Sequence, residues 1–392
     1  MLRRSRHEGH VLGLLKANPV VAILGARQVG KTTLARHVAA RWKSSTSWFD
    51  LEDPADESRL SEPMLALRDL KGLVVLDEVQ RHPNLFPALR VLADQAGSKT
   101  RYLVLGSASP SLLRQSSESL AGRIAYHTLP GFSLEEAGPR SLSRLWLRGG
   151  FPRSFLARND SQSASWRREF VRTFLERDIP QFGITIPSTT LRRFWTMLAH
   201  YHGQIWNSSA FAGSFGVADT TIRRYLDVLT QTLVVRQLLP WHENLSKRQV
   251  KSPKVYMADS GLLHTLLGID TLQALDVDPK LGSSWEGFAL DQVVQTLEAR
   301  PEECYFWATH AGAELDLLVV RGHVRRGFEF KRSEAPKLTP SMAIAMKDLK
   351  LDRLEIIHAG KKSFPVAEHI QAVPLERIGA DLGRLPHSRP KT

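Results

Sequence analysis

The sequence predicts an α/β multidomain chain that begins with a parallel sheet. Three observations carry that reading. Short apolar runs alternate with helical patterns up to about residue 130. A glycine-rich phosphate-binding loop follows the first of those runs. Acidic residues and a lysine return on strand-like runs near the C-terminus.

Size and composition bound the rest. At roughly 150 residues per domain, 392 residues allow two or three units. Hydrophobic residues at 42% and charged residues at 24% are the balance of a globular chain, not a disordered one. With 53 Lys and Arg against 40 Asp and Glu, the formal charge is +13. That favours a polyanionic partner such as nucleic acid, with an anionic membrane surface or plain solubility as alternatives. The one cysteine, Cys304, lies in Cys304-Tyr305-Phe306-Trp307 and reads as a buried strand residue. No secretory signal follows the basic start, and no window reaches the ~18 apolar residues that span a bilayer. The expectation is a cytoplasmic protein without membrane insertion.

The elements follow in order. Val11 to Ala17 reads as a helix that stops at Asn18-Pro19. Val20-Val21-Ala22-Ile23-Leu24 is a strand buried on both faces, and Leu34 to Trp42 continues a helix begun inside the loop. Trp48 to Leu51, Leu73 to Leu76 and Tyr102 to Leu105 are further strands, with helices near Pro63 to Leu70 and Leu85 to Ala93. From Ser141 to Pro187 the pattern is helical, interrupted by Gly149-Gly150-Phe151-Pro152. Leu191 to Tyr201 is another helix, and Ser208 to Leu229 holds two, with Asp219 or Ala218 at the cap between them. Leu233 to Leu239 and Val255 to Met257 pair behind them. Trp285 to Leu297 is helical. Tyr305 to Trp307, Leu315 to Val320, Gly327 to Phe330 and Leu354 to His358 are strands, with a helix at Pro340 to Leu349. The expected division is 1–137, a helical linker or lid at 138–190, 191–281, 282–375 and a tail at 376–392.

Gly25-Ala26-Arg27-Gln28-Val29-Gly30-Lys31-Thr32 matches G-x-x-x-x-G-K-[ST] in full, followed by Thr33. The glycines let backbone N–H groups turn inward around phosphate, and the next helix presents its positive end. The motif predicts an ATP or GTP site, against the plainer reading of a glycine-rich structural turn: Lys31 is expected to reach the outer phosphates and Thr32 to ligate Mg²⁺. Asp77, ending the strand Leu73 to Leu76, is placed to hold the magnesium shell, and Glu78 to orient the attacking water. The plainer reading of Asp77-Glu78 is an acidic pair capping a strand.

With Gly106-Ser107-Ala108-Ser109 after the fourth strand, these motifs resemble an AAA+-type ATPase of the additional-strand class. That resemblance implies a γ-phosphate sensor at the end of the fourth strand. Ser107 holds the place, although asparagine or threonine is more usual, and it can equally cap the next segment. The chain also resembles a prokaryotic AAA+-type P-loop ATPase family with a C-terminal conserved region of unknown function. Gly25 to Thr33, Leu76 to Arg81, Ser119 to Arg123, Phe132 to Glu136, Pro253 to Leu262 and Gly312 to Lys331 carry that resemblance. Arg123 is the arginine candidate for phosphate. Supplied in trans it makes hydrolysis depend on a homo-oligomer, in cis a monomer suffices, and otherwise it is a salt-bridging residue of the lid.

Ser208 to Leu229 has winged-helix proportions, with Phe211, Phe215, Ile222, Tyr225, Leu226 and Leu229 in one core. The family resemblance implies a helix-turn-helix here. Thr220, Thr221, Arg223 and Arg224 start the second helix, where side chains meet DNA, or they form only a wet surface. Lys247, Arg248, Lys251 and Lys254 add charge near the wing.

Farther on, Asp316 precedes Glu329-Phe330-Lys331, and period two puts Glu329 and Lys331 on one strand face. With Glu286 upstream the set resembles the PD-(D/E)XK nuclease fold, a restriction-endonuclease-like domain. The proline that sometimes precedes the first aspartate is replaced by Leu315. Glu286, Asp316 and Glu329 are candidate Mg²⁺ ligands and Lys331 a candidate for orienting water. Alternatively Glu286 caps its helix and Lys331 neutralises Glu329. The function expected is an ATPase acting on DNA. Its rivals are an ATP-dependent switch that recruits a protein partner, with the C-terminal domain used for binding only, and, more weakly, a kinase.

Overall fold

Every residue of β1 (Val20–Gly25) is buried, which is why its run is apolar without alternation. The computed structural model describes residues 2–385 apart from 83, 96, 98, 108–117 and 244–248. β1 lies in a five-stranded parallel sheet with β2 (Thr46–Asp50), β3 (Leu73–Asp77), β4 (Arg101–Ser107) and β5 (Ile124–Thr128). The order is β2-β3-β4-β1-β5. Period two sends Val21, Ile23, Val75, Leu103 and Leu105 to one face. There they meet the helices Ser5–Ala17 and Lys31–Ala40 through Val11, Leu15, Leu34 and Val38. Val20, Ala22, Leu24, Val74, Leu76 and Val104 face the other way, against Leu85, Phe86, Leu89 and Leu92 of the helix Leu85–Ala93. β4 is the strand inserted between the two that carry the site, as the AAA+ resemblance implies. Periodicity does not reveal β5, because only one of its five residues is buried, as suits a sheet edge.

Contacts divide the chain into two units. One runs up to Gly131 and takes in Arg177–Thr185 and Gln231–Val234; the other comprises Phe132–Glu176, Ile186–Thr230 and the chain from Val235 onward. The second unit holds a mixed nine-stranded sheet. Its strands are β6 (Gln204–Ile205), β7 (Val235–Pro240), β8 (Lys254–Met257), β9 (Cys304–Ala308), β10 (Glu314–Arg321), β11 (Val324–Lys331), β12 (Arg353–His358), β13 (Phe364–Ala367) and β14 (Ile370–Pro374). The order is β13-β14-β12-β11-β10-β9-β7-β8-β6. β7 and β8 pair as expected, in antiparallel, and β7 also pairs in parallel with β9. The middle strands and the C-terminal strands are therefore one sheet. Cys304 is buried at the start of β9.

The helices Ser208–Phe215 and Asp219–Gln231 bury Phe211, Ile222, Tyr225, Leu226 and Leu229. Phe215 is half-buried, with the Arg193 guanidinium 4.6 Å from its ring. Phe194 of the helix Ser188–His200 closes this core, its ring 5.7 Å from Phe211 and 5.6 Å from Tyr225. Asp219 acts as a tie between the helices: its carboxylate accepts from the Ser208 hydroxyl at 2.8 Å.

Candidate nucleotide and carboxylate sites

β1 ends at Gly25 and the chain turns into the helix Lys31–Ala40. A Cβ on Gly25 would stand 2.7 Å from the Leu129 carbonyl oxygen, so only glycine fits. Gly30 takes φ 100° just before the helix, a conformation that strains any L side chain. Gln28 is also left-handed, at φ 61°. Such turns aim successive amides into one hollow, which suits an anion.

Lys31 folds back over the loop. Its ammonium donates to the carbonyls of Gly25 at 3.2 Å and Ala26 at 3.1 Å, and to Ser107 Oγ at 3.5 Å. Burial lowers its pKa, against the pull of Glu78 and Asp77. The Thr32 hydroxyl donates to Asp77 Oδ2 at 2.9 Å. Burial raises the Asp77 carboxyl to about 6, against that hydrogen bond. Glu78 has φ 56°; its N–H donates to Asp77 Oδ1 at 3.0 Å and its carboxylate accepts from the Gln80 amide. Ser107 arrives because β4 pairs in register with β1, Gly25 opposite Ser107. Thr33 is half-buried one place along the helix, while Ala108 and Ser109 lie outside the described residues. The donor set fits Mg²⁺ with a nucleotide. The cation of Lys31 is hydrogen-bonded only to neutral oxygens, and a hydroxyl and a carboxylate stand where a divalent ion is held.

Arg123 is not part of this hollow. It directly precedes β5, and its carbonyl accepts from Val20 N–H at the start of β1. β1 separates it from the loop by roughly 17 Å at ~3.3 Å per residue. Its guanidinium grips Asp94 instead, at 2.5 and 2.8 Å. The cis reading of Arg123 is thereby corrected: parallel pairing puts the start of β5 at the wrong end of the sheet. Arg27 is the arginine at the loop, ion-paired with Asp178 and 3.7 Å from Glu52. Asp178 had no sequence signal, being 151 residues from its partner and outside any motif.

The second site is in the C-terminal sheet. The register of β10 on β11 pairs Leu317 with Phe328, the residues next to Asp316 and Glu329. A register shift between Leu315 and Leu318 brackets Asp316, a device that re-aims a side chain. Asp316 Oδ2 accepts from the Phe330 N–H at 3.1 Å. Lys331 Nζ lies 2.8 Å from Glu329 and 3.8 Å from Asp316. Glu286, on the helix Leu281–Leu297, accepts from the Tyr256 hydroxyl at 2.6 Å. Burial, then neighbouring Asp316, raises Glu286 to about 6 and Glu329 to about 8.

The member that sequence reasoning misplaced is Lys254. Read as a charge on a wing, it is 4% exposed and points into the carboxylates. Its ammonium is ion-paired with Glu314 and lies 3.5 Å from Glu286 and 3.6 Å from Asp316. Burial lowers its pKa, but Tyr256, Glu286, Asp316 and Glu314 more than reverse that and hold it charged. The alternation of β8 was the available signal, since it sends Lys254 and Tyr256 to one face. Among the described residues, no group of His, Cys, Asp and Glu forms a ready metal cage. Four carboxylates do face only two ammonium groups here, and oxygen donors suit Mg²⁺.

On the middle helix, Thr220, Arg223 and Arg224 are exposed and Thr221 is half-buried. Lys251 is exposed, whereas Lys247 and Arg248 lie outside the described residues. No helix among the described residues is long and apolar enough to cross a membrane.

Three family models match successive stretches of the chain. Residues 17–138 match a family described as AAA domain. Residues 139–273 and 281–378 match two families described as domains of unknown function (DUF8612 and DUF4143). The Walker-type ATPase of Pyrococcus abyssi shares the fold at TM-score 0.50 and 15% identity, over 68% of this chain and 96% of its own. The uncharacterized proteins Rv2008c of Mycobacterium tuberculosis and Mb2031c of Mycobacterium bovis are each 50% identical over 96% of this chain and 82% of their own length. The chain therefore belongs to the family of these two mycobacterial proteins, with a P-loop ATPase domain of the AAA type at its head.

Proposed function

We propose that this chain is a Mg²⁺-dependent ATPase that acts on DNA. The observation that carries the ATPase reading is the preorganised set of Lys31, Thr32 and Asp77 beneath the glycine loop. In this reading Glu78 orients water and Ser107 contacts the outer phosphate beside Lys31. Bound Mg²⁺ neutralises charge on the phosphates. Trans action of Arg123 in a homo-oligomer remains part of the proposal, because its pair with Asp94 is surface-exposed and exchangeable.

The DNA reading rests on the exposed Thr220, Arg223 and Arg224 of a winged-helix-like pair of helices and on the charge of +13. It rests also on the C-terminal cluster. Asp316, Glu329 and Glu286 would hold Mg²⁺ and Lys331 would orient water, the PD-(D/E)XK arrangement, once Lys254 yields its place. The second reading, a switch that recruits a protein partner, is favoured by Lys254, which already neutralises part of that cluster.

One experiment separates them. Phosphate release is measured with no DNA, single-stranded DNA and duplex DNA, with Lys31→Ala as control, and the DNA is then run on a gel. Stimulation by DNA, and cleavage that Asp316→Ala abolishes, is the expected result. Turnover indifferent to every DNA form, with no cleavage in Mg²⁺ or Mn²⁺, would leave the switch reading standing. Wild-type turnover in Lys31→Ala would refute the ATP site itself.

A further inference from the structure

The phosphate loop carries an arginine, and the acid that holds it comes from far along the chain. Arg27 is ion-paired with Asp178, and Asp178 is 3% exposed. Asp178 closes a π-helical turn, Phe174–Asp178, a wide-turn geometry that recurs at functional sites. Arg27 follows Ala26, whose carbonyl accepts from the Lys31 ammonium at 3.1 Å, and the Arg27 guanidinium also lies 3.7 Å from Glu52. Arg27 and Asp178 both act on the charge of the Lys31 ammonium, in opposite senses. Glu78 acts on the Asp178 carboxyl, behind burial and the opposing effect of Arg27. Arg27 is thus on the same loop turn as the carbonyls that hold the Lys31 ammonium, the group expected at the outer phosphates.

We infer that Arg27 is the arginine this site uses in cis for the terminal phosphate of ATP, and that Asp178 is its positioning residue, holding the guanidinium until the phosphate takes it. The inference rests on the ATP-site reading above. Carboxylate and phosphate both take a guanidinium through paired N–H bonds, so one can replace the other. The terminal phosphate offers three oxygens and more charge than one carboxylate, and ADP lacks that group altogether. Glu52 keeps Arg27 at the loop during the exchange; it also lies 3.9 Å from Arg81 and from Arg177. Release of Asp178 frees the end of the π-turn only when ATP is bound.

The test measures binding of ADP and of a non-hydrolysable ATP analogue by calorimetry. The proteins are wild type, Arg27→Ala, Arg27→Lys, Asp178→Asn, the Arg27→Ala/Asp178→Asn pair and Lys31→Ala. Arg27→Ala should weaken the ATP analogue about tenfold or more while leaving ADP within about twofold. Arg27→Lys should recover part of that loss, since charge is kept but the paired donors are not. Asp178→Asn should tighten the ATP analogue and leave ADP alone, because the competing charge is gone. The double variant should match Arg27→Ala, a result a merely structural Asp178 would not give. Equal losses for both nucleotides in Arg27→Ala and Arg27→Lys, or weaker ATP binding in Asp178→Asn, overturn the inference. Unchanged binding of both nucleotides by Lys31→Ala would instead remove the ATP site on which it rests.

Discussion

Lys31 and Lys254 are both buried lysines beside carboxylates, yet their surroundings are opposite. Lys31 is hydrogen-bonded to two carbonyls and a hydroxyl, and burial lowers its pKa. Lys254 sits among Glu286, Glu314 and Asp316, and those charges overcome burial and raise it. A buried cation with only neutral partners calls for an anion; a carboxylate cluster with too few cations calls for a cation. On the proposed reading the first site receives phosphate and the second receives positive charge.

Removing each lysine is the strongest way to break that comparison. Lys31→Ala should lower ATP turnover by about 10³-fold, read as phosphate release, since its ammonium is the cation hydrogen-bonded to the carbonyls of Gly25 and Ala26. Lys254→Met should destabilise the chain by about 3 kcal/mol at pH 8, read by denaturant unfolding, because it leaves buried carboxylates unpaired. Millimolar Mg²⁺ should restore much of that loss. A variant as stable as wild type would mean the cluster never needed the cation.

Titration sharpens the contrast at lower cost to the fold. Glu286 and Glu329 are raised from 4.5 to about 6 and about 8, so the folded chain binds more protons than the unfolded one across those windows. Their contribution to stability is therefore greatest at low pH and falls as pH rises from about 4.5 to about 8. Glu329→Gln should flatten the upper part of that slope in melting curves taken at several pH values. In the other site, Asp77 near 6 must lose its proton to hold a metal ion, so turnover should decline below about pH 6. Added Mg²⁺ should move that decline to lower pH, because metal and proton compete.

The smallest effects belong to the surface. Replacing Arg223 and Arg224 together with alanine should leave the melting curve unchanged, since both are exposed. It should reduce the salt dependence of duplex binding by about two phosphate contacts. Unaltered affinity would remove that face from the interface.

The local chemistry is legible along the chain. An apolar run, a glycine loop and Lys31-Thr32 lie next to one another in the chain, so backbone rules place them without tertiary information. Asp77-Glu78 and Glu329-Phe330-Lys331 were legible for the same reason, each being carried by the strand that ends there. Which distant charges join them depends on how the strands pair. Parallel pairing carried Arg123 to the far end of the sheet and brought Ser107 to Lys31. The pairing of β7 with β9 turned Lys254 from an expected surface charge into the buried centre of the carboxylates, and a distant segment brought Asp178 to Arg27. A lone charged residue has no periodic pattern to announce its partner. Its role is set by the field of groups the fold gathers around it, and that field does not exist until the strands are paired.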